Sequence, residues 1–317
     1  DIDEKNEELK LLKDDLYKDI NRVFYYQGGS GNHGCEALIK TIFKLGNFKR
    51  EESLLCSYVA NEDKKFGVNK IIKYIRQSNQ DAEEIKDLNF NSKSIALSIG
   101  GDNYCGYDYG TKRLEKYNRI LNEKGVTTAL IGCSIEPDVL NHQEVLDDLN
   151  RFALITARES ITYNALIEKG INRNTHLIPD SAFILEPSYL PLPIGFEEGN
   201  TIGINVSNLV QSYDKKNNIT YNNFKNLIEY IIKNTKYKIA LIPHVVQIHN
   251  DDMGTLIRLY DEFKETNRVI LINDCNCSEI KGYISKCKIL VCSRTHASIS
   301  GYSSRIPTLV LGYSVKS

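Results

Sequence analysis

The run Cys292-Ser-Arg-Thr-His-Ala-Ser-Ile-Ser-Gly301 sets an arginine and a histidine two residues apart, where an apolar strand, Lys288 to Cys292, gives way to a helix. A guanidinium, a titratable ring and free backbone N–H groups at a helix start together make an anion site. A second apolar strand, Thr308 to Leu311, delivers Lys316 beyond its own carboxyl end, the edge of an α/β sheet at which ligands bind. Arg294, His296 and Lys316 are therefore the strongest candidates for chemistry: two cations and one ring able to move protons near neutral pH.

Other polar clusters follow other strands. The first strand ends in Gln27-Gly-Gly-Ser-Gly-Asn-His-Gly-Cys-Glu36, with four glycines that permit close backbone approach to a ligand. Gly29-x-Gly31-x-x-Gly34 satisfies the dinucleotide fingerprint, but no acidic residue ends the second strand to hold a ribose, and no Gly-Lys-Ser/Thr follows as in a phosphate loop. The glycines serve either tight packing alone or a polar ligand site; Asn32, His33 and Glu36 favour the site. Ser98-Ile-Gly-Gly-Asp-Asn-Tyr104 places Asp102 and Asn103 at the same sheet edge. That carboxylate and amide suit sugar hydroxyls, or else close a local Asx turn. Arg158, at the end of another apolar strand, can fork onto phosphate or carboxylate or pair with a neighbouring acid. Asp180 can hold that arginine or cap a turn. His244 follows a strand of the second half and is either a site residue or hydrogen-bonded structure, while Asp251 and Asp252 read as an N-cap and first-turn charge.

The elements that must position these residues alternate strand with helix, which predicts βαβ units and parallel sheets. Residues 4–20 form a short amphipathic stripe. Strands are expected at Arg22–Tyr26, Ser53–Tyr58, Ser94–Ile99, Val126–Gly132, Phe152–Ala157 and around His176–Ile178. Helices are expected at Cys35–Leu45, around Lys70–Leu88, and at Thr111–Lys124, Gln143–Asn150 and Arg158–Lys169. Glu186 to Asn200 holds three of the chain's seven prolines and reads as a linker. Beyond it the alternation restarts, with strands at Thr201–Asn205, Lys238–Ile242, Arg268–Ile272, Lys288–Cys292 and Thr308–Leu311. The expected architecture is α/β, with two Rossmann-like doubly wound domains, residues 1–190 and 200–317, facing a central cleft.

Bulk properties narrow the function classes. At 317 residues the chain has room for about two domains. Its net charge of −1 and dispersed lysines argue against nucleic acid as a partner. No apolar run is long enough to span a bilayer, and Asp1-Ile-Asp-Glu-Lys does not resemble a signal peptide, so a cytoplasmic location is expected. The eight cysteines lack the paired spacing of a zinc site and read as free thiols; no metal or cofactor is expected.

Taken in order, Gly28-Gly-Ser-Gly-Asn-His-Gly-Cys-Glu-Ala37, Gly100-Gly-Asp-Asn103, Ala157-Arg-Glu-Ser160, Pro179-Asp-Ser-Ala-Phe183, Ser293-Arg-Thr-His-Ala297 and Pro307-Thr-Leu-Val-Leu-Gly-Tyr-Ser-Val-Lys316 resemble the polysaccharide pyruvyl transferase family. The resemblance implies a GT-B-like fold and a transferase of bacterial cell-surface glycan biosynthesis. It implies phosphoenolpyruvate as co-substrate, its pyruvate carried to two hydroxyls of a sugar as a cyclic ketal. It places catalysis on His296 and Arg294, donor binding on Arg158, Arg294, His296 and Lys316, and acceptor contacts on Asn32, Glu36, Asp102, Asn103 and His244. The residues 1–190 would be the acceptor side and 200–317 the donor side. A lipid-linked oligosaccharide acceptor would bring the protein to the inner membrane face.

The same fold and phosphate site would serve a nucleotide-sugar glycosyltransferase, or a non-catalytic glycan-binding relative. A GT-B-like chain continues with further helices after the strand that precedes Lys316, so a longer polypeptide is expected.

Overall fold

A computed structural model describes residues 20–74, 84–215, 218–248 and 250–312. The amphipathic stripe of residues 4–20 and Lys316 lie outside them, apart from Ile20, which is buried. The chain forms two compact units. One comprises residues 1–29 and 42–180, the other residues 30–41 and 181–317.

The first unit holds a seven-stranded parallel sheet: β1 (Arg22–Gln27), β2 (Ser53–Ser57), β3 (Lys70–Lys73), β4 (Ile95–Ser98), β5 (Thr127–Cys133), β6 (Leu154–Ala157) and β7 (Thr175–Leu177). The spatial order is β3-β2-β1-β4-β5-β6-β7. Such an order reverses direction between β1 and β4, the switch point at which doubly wound sheets open a crevice at their carboxyl edge. The Lys70–Leu88 helix expected from polar composition is corrected at its start. Lys70–Lys73 is an edge strand, with Ile71 and Ile72 registered against Leu55 and Cys56 of β2. β-Branched residues suit that half-buried position, and exposed Lys73 keeps the edge hydrophilic.

The second unit holds β8 (Thr201–Asn205), β9 (Lys238–Leu241), the short antiparallel pair β10 (Val246–Gln247) and β11 (Asn250–Asp251), then β12 (Val269–Leu271), β13 (Ile289–Cys292) and β14 (Thr308–Val310). Its five-stranded sheet is parallel in the order β12-β9-β8-β13-β14, with its switch point between β8 and β13. Alternation along β9 shows how the layers form. Ile239 and Leu241 join one buried cluster with Phe224, Ile228, Leu256 and Leu259, while Ala240 and Ile242 join another with Ile280, Ile284 and Ala297. Side chains of a strand point to opposite faces with period two, so one strand serves both helix layers. Two doubly wound parallel sheets of GT-B type are the fold class expected from the sequence.

Residues 30–41 belong to the second unit, where their packing and hydrogen bonds tie them. Ala37 packs with Ala182, Leu185, Cys277 and Ile299, and the Thr41 hydroxyl hydrogen-bonds the Ser181 hydroxyl at 2.9 Å. The stretch 186–200 expected as a linker is described within this unit, with the Ser188 N–H donating to the Ser278 carbonyl at 2.8 Å. None of the eight cysteines is in a disulfide, and burial pushes the Cys133, Cys287 and Cys292 thiols up to about 12.

Candidate active site

At the second unit's switch point, β13 ends at Cys292, and Arg294, in an extended conformation, immediately precedes the Thr295–Ser303 helix. Arg294 is buried and fixed on three sides. Its Nε and Nη2 donate to Asp252 Oδ1 at 3.1 and 2.7 Å, its Nη2 also to Asn250 Oδ1 at 2.6 Å, and its backbone N–H to Asn205 Oδ1 at 3.2 Å. Nη1 makes no hydrogen bond among the described residues and is the guanidinium's remaining group for a ligand.

Asp252 is fully buried, and a buried carboxylate survives only where donors surround it. Its second oxygen accepts the backbone N–H groups of His244 and Val245 at 3.0 and 3.1 Å and the Asn205 amide at 3.0 Å. The expected first-turn role therefore belongs to Asp251 alone, whose carboxylate caps the Met253 N–H at 2.9 Å. Asp252 is instead the acid beneath Arg294.

The glycine loop is pinned to the edge of this sheet. Val246 N–H donates to the Gly31 carbonyl at 2.7 Å, His33 N–H to the His244 carbonyl at 3.2 Å, and Asn32 pairs antiparallel with Val245. Asn32 turns its side-chain oxygen onto the Gly34 N–H at 3.0 Å. Gly34 is required here: a Cβ added to it would lie 2.2 Å from His296 Nδ1, so the imidazole packs directly against the backbone at residue 34. Arg294 and His296 are thus brought to one corner with Asn32, Glu36 and His244.

His33, noted in the sequence only as a polar neighbour, is central to that corner. Its ring is 3% exposed, with Nδ1 2.8 Å from Glu36 Oε2 and Nε2 2.8 Å from Asp274 Oδ1. A neutral imidazole has one N–H, so two carboxylate partners demand the protonated ring. Burial alone would lower the His33 pKa, but the hydrogen bonds to Asp274 and Glu36 outweigh it and raise the pKa. Glu36 is likewise buried, and its Oε2 also accepts the Cys277 N–H at 2.9 Å.

His244 lies 6.0 Å from His33, ring to ring, in an edge-on arrangement. Complete burial, reinforced by the nearby charges of His33, His296 and Arg294, holds its pKa well below the ordinary value, so it is a neutral ring. Of the acids bonded to these side chains, Asp274 is the accessible one, 47% exposed against 2% for Glu36 and 0% for Asp252. It follows β12 at the carboxyl edge, the position that singles out Arg294, but no motif in the sequence marks it.

The first unit carries a separate polar group at its own sheet edge. Arg158 Nε donates to Ser134 Oγ at 2.8 Å, Nη1 to Asp180 Oδ2 at 3.1 Å and Nη2 to Asp102 Oδ1 at 2.7 Å. Burial disfavours this charge, but Asp102 and Asp180 more than offset it and raise the pKa. Of the two uses open to Asp180, holding the arginine is the one found. Gly101 makes room, since a Cβ there would meet Arg158 Nη1 at 2.4 Å. Asp102 is 58% exposed and can face a ligand. Asn103 is fully buried, its amide 3.2 Å from the Ser98 hydroxyl, with its backbone N–H on the Ser134 carbonyl.

Comparison with known proteins agrees with this architecture. A family model described as polysaccharide pyruvyl transferase matches residues 31–315. No curated protein sequence matches. Among solved structures, the chain is similar to Staphylococcus aureus MnaA with UDP, at 11% identity and a TM-score of 0.60, covering 92% of this chain and 79% of that one. It is similar to a putative UDP-N-acetylglucosamine 2-epimerase from Listeria monocytogenes, at 9% identity and a TM-score of 0.58, covering 92% and 78%. Anabaena HepE in complex with UDP is similar at 12% identity and a TM-score of 0.52, covering 91% and 79%. These likenesses establish the fold. Among the described residues no helix is long and apolar enough to cross a membrane.

Proposed function

Because the chain belongs to the polysaccharide pyruvyl transferase family, we propose that it transfers pyruvate from phosphoenolpyruvate to two hydroxyls of a sugar, forming a cyclic ketal. The observation that carries this reading is the Arg294-Thr-His296 corner. A buried guanidinium fixed by Asp252 stands two residues before a histidine whose ring is seated on Gly34.

The reaction needs a proton at the methylene carbon of phosphoenolpyruvate, charge compensation for a carboxylate and a phosphate, and a way to place two hydroxyls. His296 supplies the proton: an imidazole can donate one, and this ring is seated against the backbone at Gly34, two residues after Arg294. His244 is held neutral and cannot be that acid. Arg294 Nη1 and the N-terminus of the Thr295–Ser303 helix stabilise the departing charge, and a fixed guanidinium does so without reorganising during the reaction. Arg158 and Lys316 remain the proposed further donor-binding cations. Asn32, Glu36, Asp102, Asn103 and His244 remain the proposed acceptor contacts, Asp102 as the exposed carboxylate, buried Glu36 through its hold on His33 and buried Asn103 through the shape of its loop.

The acceptor we propose is a sugar diol of a bacterial cell-surface glycan, free or lipid-linked. Incubation with phosphoenolpyruvate and a panel of such glycans tests this: a product heavier by one pyruvate less one water, formed with phosphate release, is expected. Thermal stabilisation by a nucleotide sugar but not by phosphoenolpyruvate would favour a glycosyltransferase instead.

A further inference from the structure

We propose that Asp274 is the base that takes the proton of the attacking acceptor hydroxyl, held in place by the His33 imidazolium and Glu36. The inference rests on the pyruvyl-transfer reading and names a residue for its acceptor half.

Four observations support it. The chain Glu36–His33–Asp274 runs from a buried carboxylate through a buried cation to a half-exposed carboxylate, with both links at 2.8 Å. Its inner end is anchored twice, because Glu36 Oε2 receives the backbone N–H of Cys277 at the start of the Cys277–Ser285 helix as well as His33 Nδ1. Its outer end meets His33 through Oδ1, Oδ2 makes no hydrogen bond among the described residues, and the side chain is half-exposed. The residue after His33 is Gly34, on which His296 rests, so acid and base are tied to consecutive residues of one loop. A carboxylate backed by a positioned imidazolium keeps its orientation, which is what proton transfer to a moving hydroxyl requires.

The proton balance closes. His296 gives its proton to the methylene carbon, which becomes the methyl group, and C2 gains the first sugar oxygen while the proton of that hydroxyl goes to Asp274. The bond from C2 to the phosphate oxygen then breaks, and the proton on Asp274 goes to the departing phosphate. The second hydroxyl bonds C2 and gives its proton to His296, restoring both residues. His33 stays protonated throughout and positions the base.

The test uses the full chain carrying Asp274→Ala, Asp274→Asn and His33→Gln, with phosphate release and phosphoenolpyruvate binding measured separately. General-base loss is expected to lower kcat by about 100-fold or more in both Asp274 variants, with phosphoenolpyruvate affinity unchanged. Added formate is expected to restore part of the Asp274→Ala rate and none of a rate lost through misfolding. His33→Gln is expected to lower kcat less than either, without formate rescue. A kcat for Asp274→Asn within about threefold of wild type, in an enzyme that releases phosphate, overturns the base assignment and leaves the pyruvyl-transfer reading standing, since the loss expected of a missing base is far larger. A wild-type protein that releases no phosphate with any acceptor overturns that reading, and the base assignment with it.

Discussion

The ring of His296 occupies the space that a side chain at residue 34 would fill, with Nδ1 2.2 Å from where a Cβ of Gly34 would sit. The glycine of an N-terminal loop thereby shapes the seat of a histidine 262 residues later in the chain (296 − 34). Gly34→Ala is accordingly expected to displace the ring rather than unfold the protein. Overpacking of this kind costs about 1–3 kcal/mol. A displacement near 1 Å at a reacting group can cost about 100-fold in rate. Urea unfolding alongside steady-state kinetics checks both, and an unchanged kcat would show that the ring adapts.

Removing Asp252 is expected to be more damaging to stability than removing most site residues. Its carboxylate is the acid partner of buried Arg294 and the acceptor for two backbone N–H groups. Breaking a buried ion pair from one side costs about 3–5 kcal/mol because the other charge is left uncompensated. Asp252→Ala should therefore lower the urea midpoint strongly, and Asp252→Ala combined with Arg294→Met should recover part of the loss.

Histidines 33 and 244 should give the protein opposite pH sensitivities. The folded pKa of His33 is raised, so its stabilisation is full below the ordinary histidine value of 6.5 and fades as pH rises through the higher folded value. The folded pKa of His244 is depressed, so the unfolded chain takes up a proton there first, and stability is lost as pH falls below 6.5. Urea midpoints measured against pH should show the His33→Gln deficit largest below pH 6.5 and shrinking in alkali. His244→Gln should flatten the acid-side loss.

Arg158 should resist replacement by lysine. Its Nε, Nη1 and Nη2 each donate to a different partner, Ser134, Asp180 and Asp102, and a single ammonium cannot reproduce that planar fork. Asp180 is buried, so Arg158→Lys leaves it poorly compensated. A loss of about 1–3 kcal/mol is expected, the range for a buried acceptor stripped of its partner. In a double-mutant cycle the Arg158→Lys effect should shrink when Asp180 is already asparagine.

Much of this was legible in the sequence where the signal is local. The strand from Lys288 and the Arg-x-His after it were readable because an apolar run and a helix start are patterns within ten residues. Arg158 and Asp180 were visible as a possible pair because each follows a strand. The strand at Lys70–Lys73 passes for helix in the sequence because four residues are too few to show a period.

Long-range partnerships left no such trace. Nothing near Asp274 or Asp252 announces a bond to His33, 241 residues away, or to Arg294, 42 residues away. The grouping of residues 30–41 with the second unit depends on Ala37 finding Cys277 and Ile299, contacts of shape that composition does not record.

Phosphoenolpyruvate-dependent transfer with His296 as the acid stands at the centre of the proposed chemistry. Its most direct test is phosphate release from phosphoenolpyruvate in the presence of an acceptor glycan, wild type beside His296→Ala, with the product weighed by mass spectrometry. One phosphate per ketal is expected from the wild type, and a rate at least about 100-fold lower from the variant, the scale of a lost general acid. Full phosphate release by His296→Ala would contradict it.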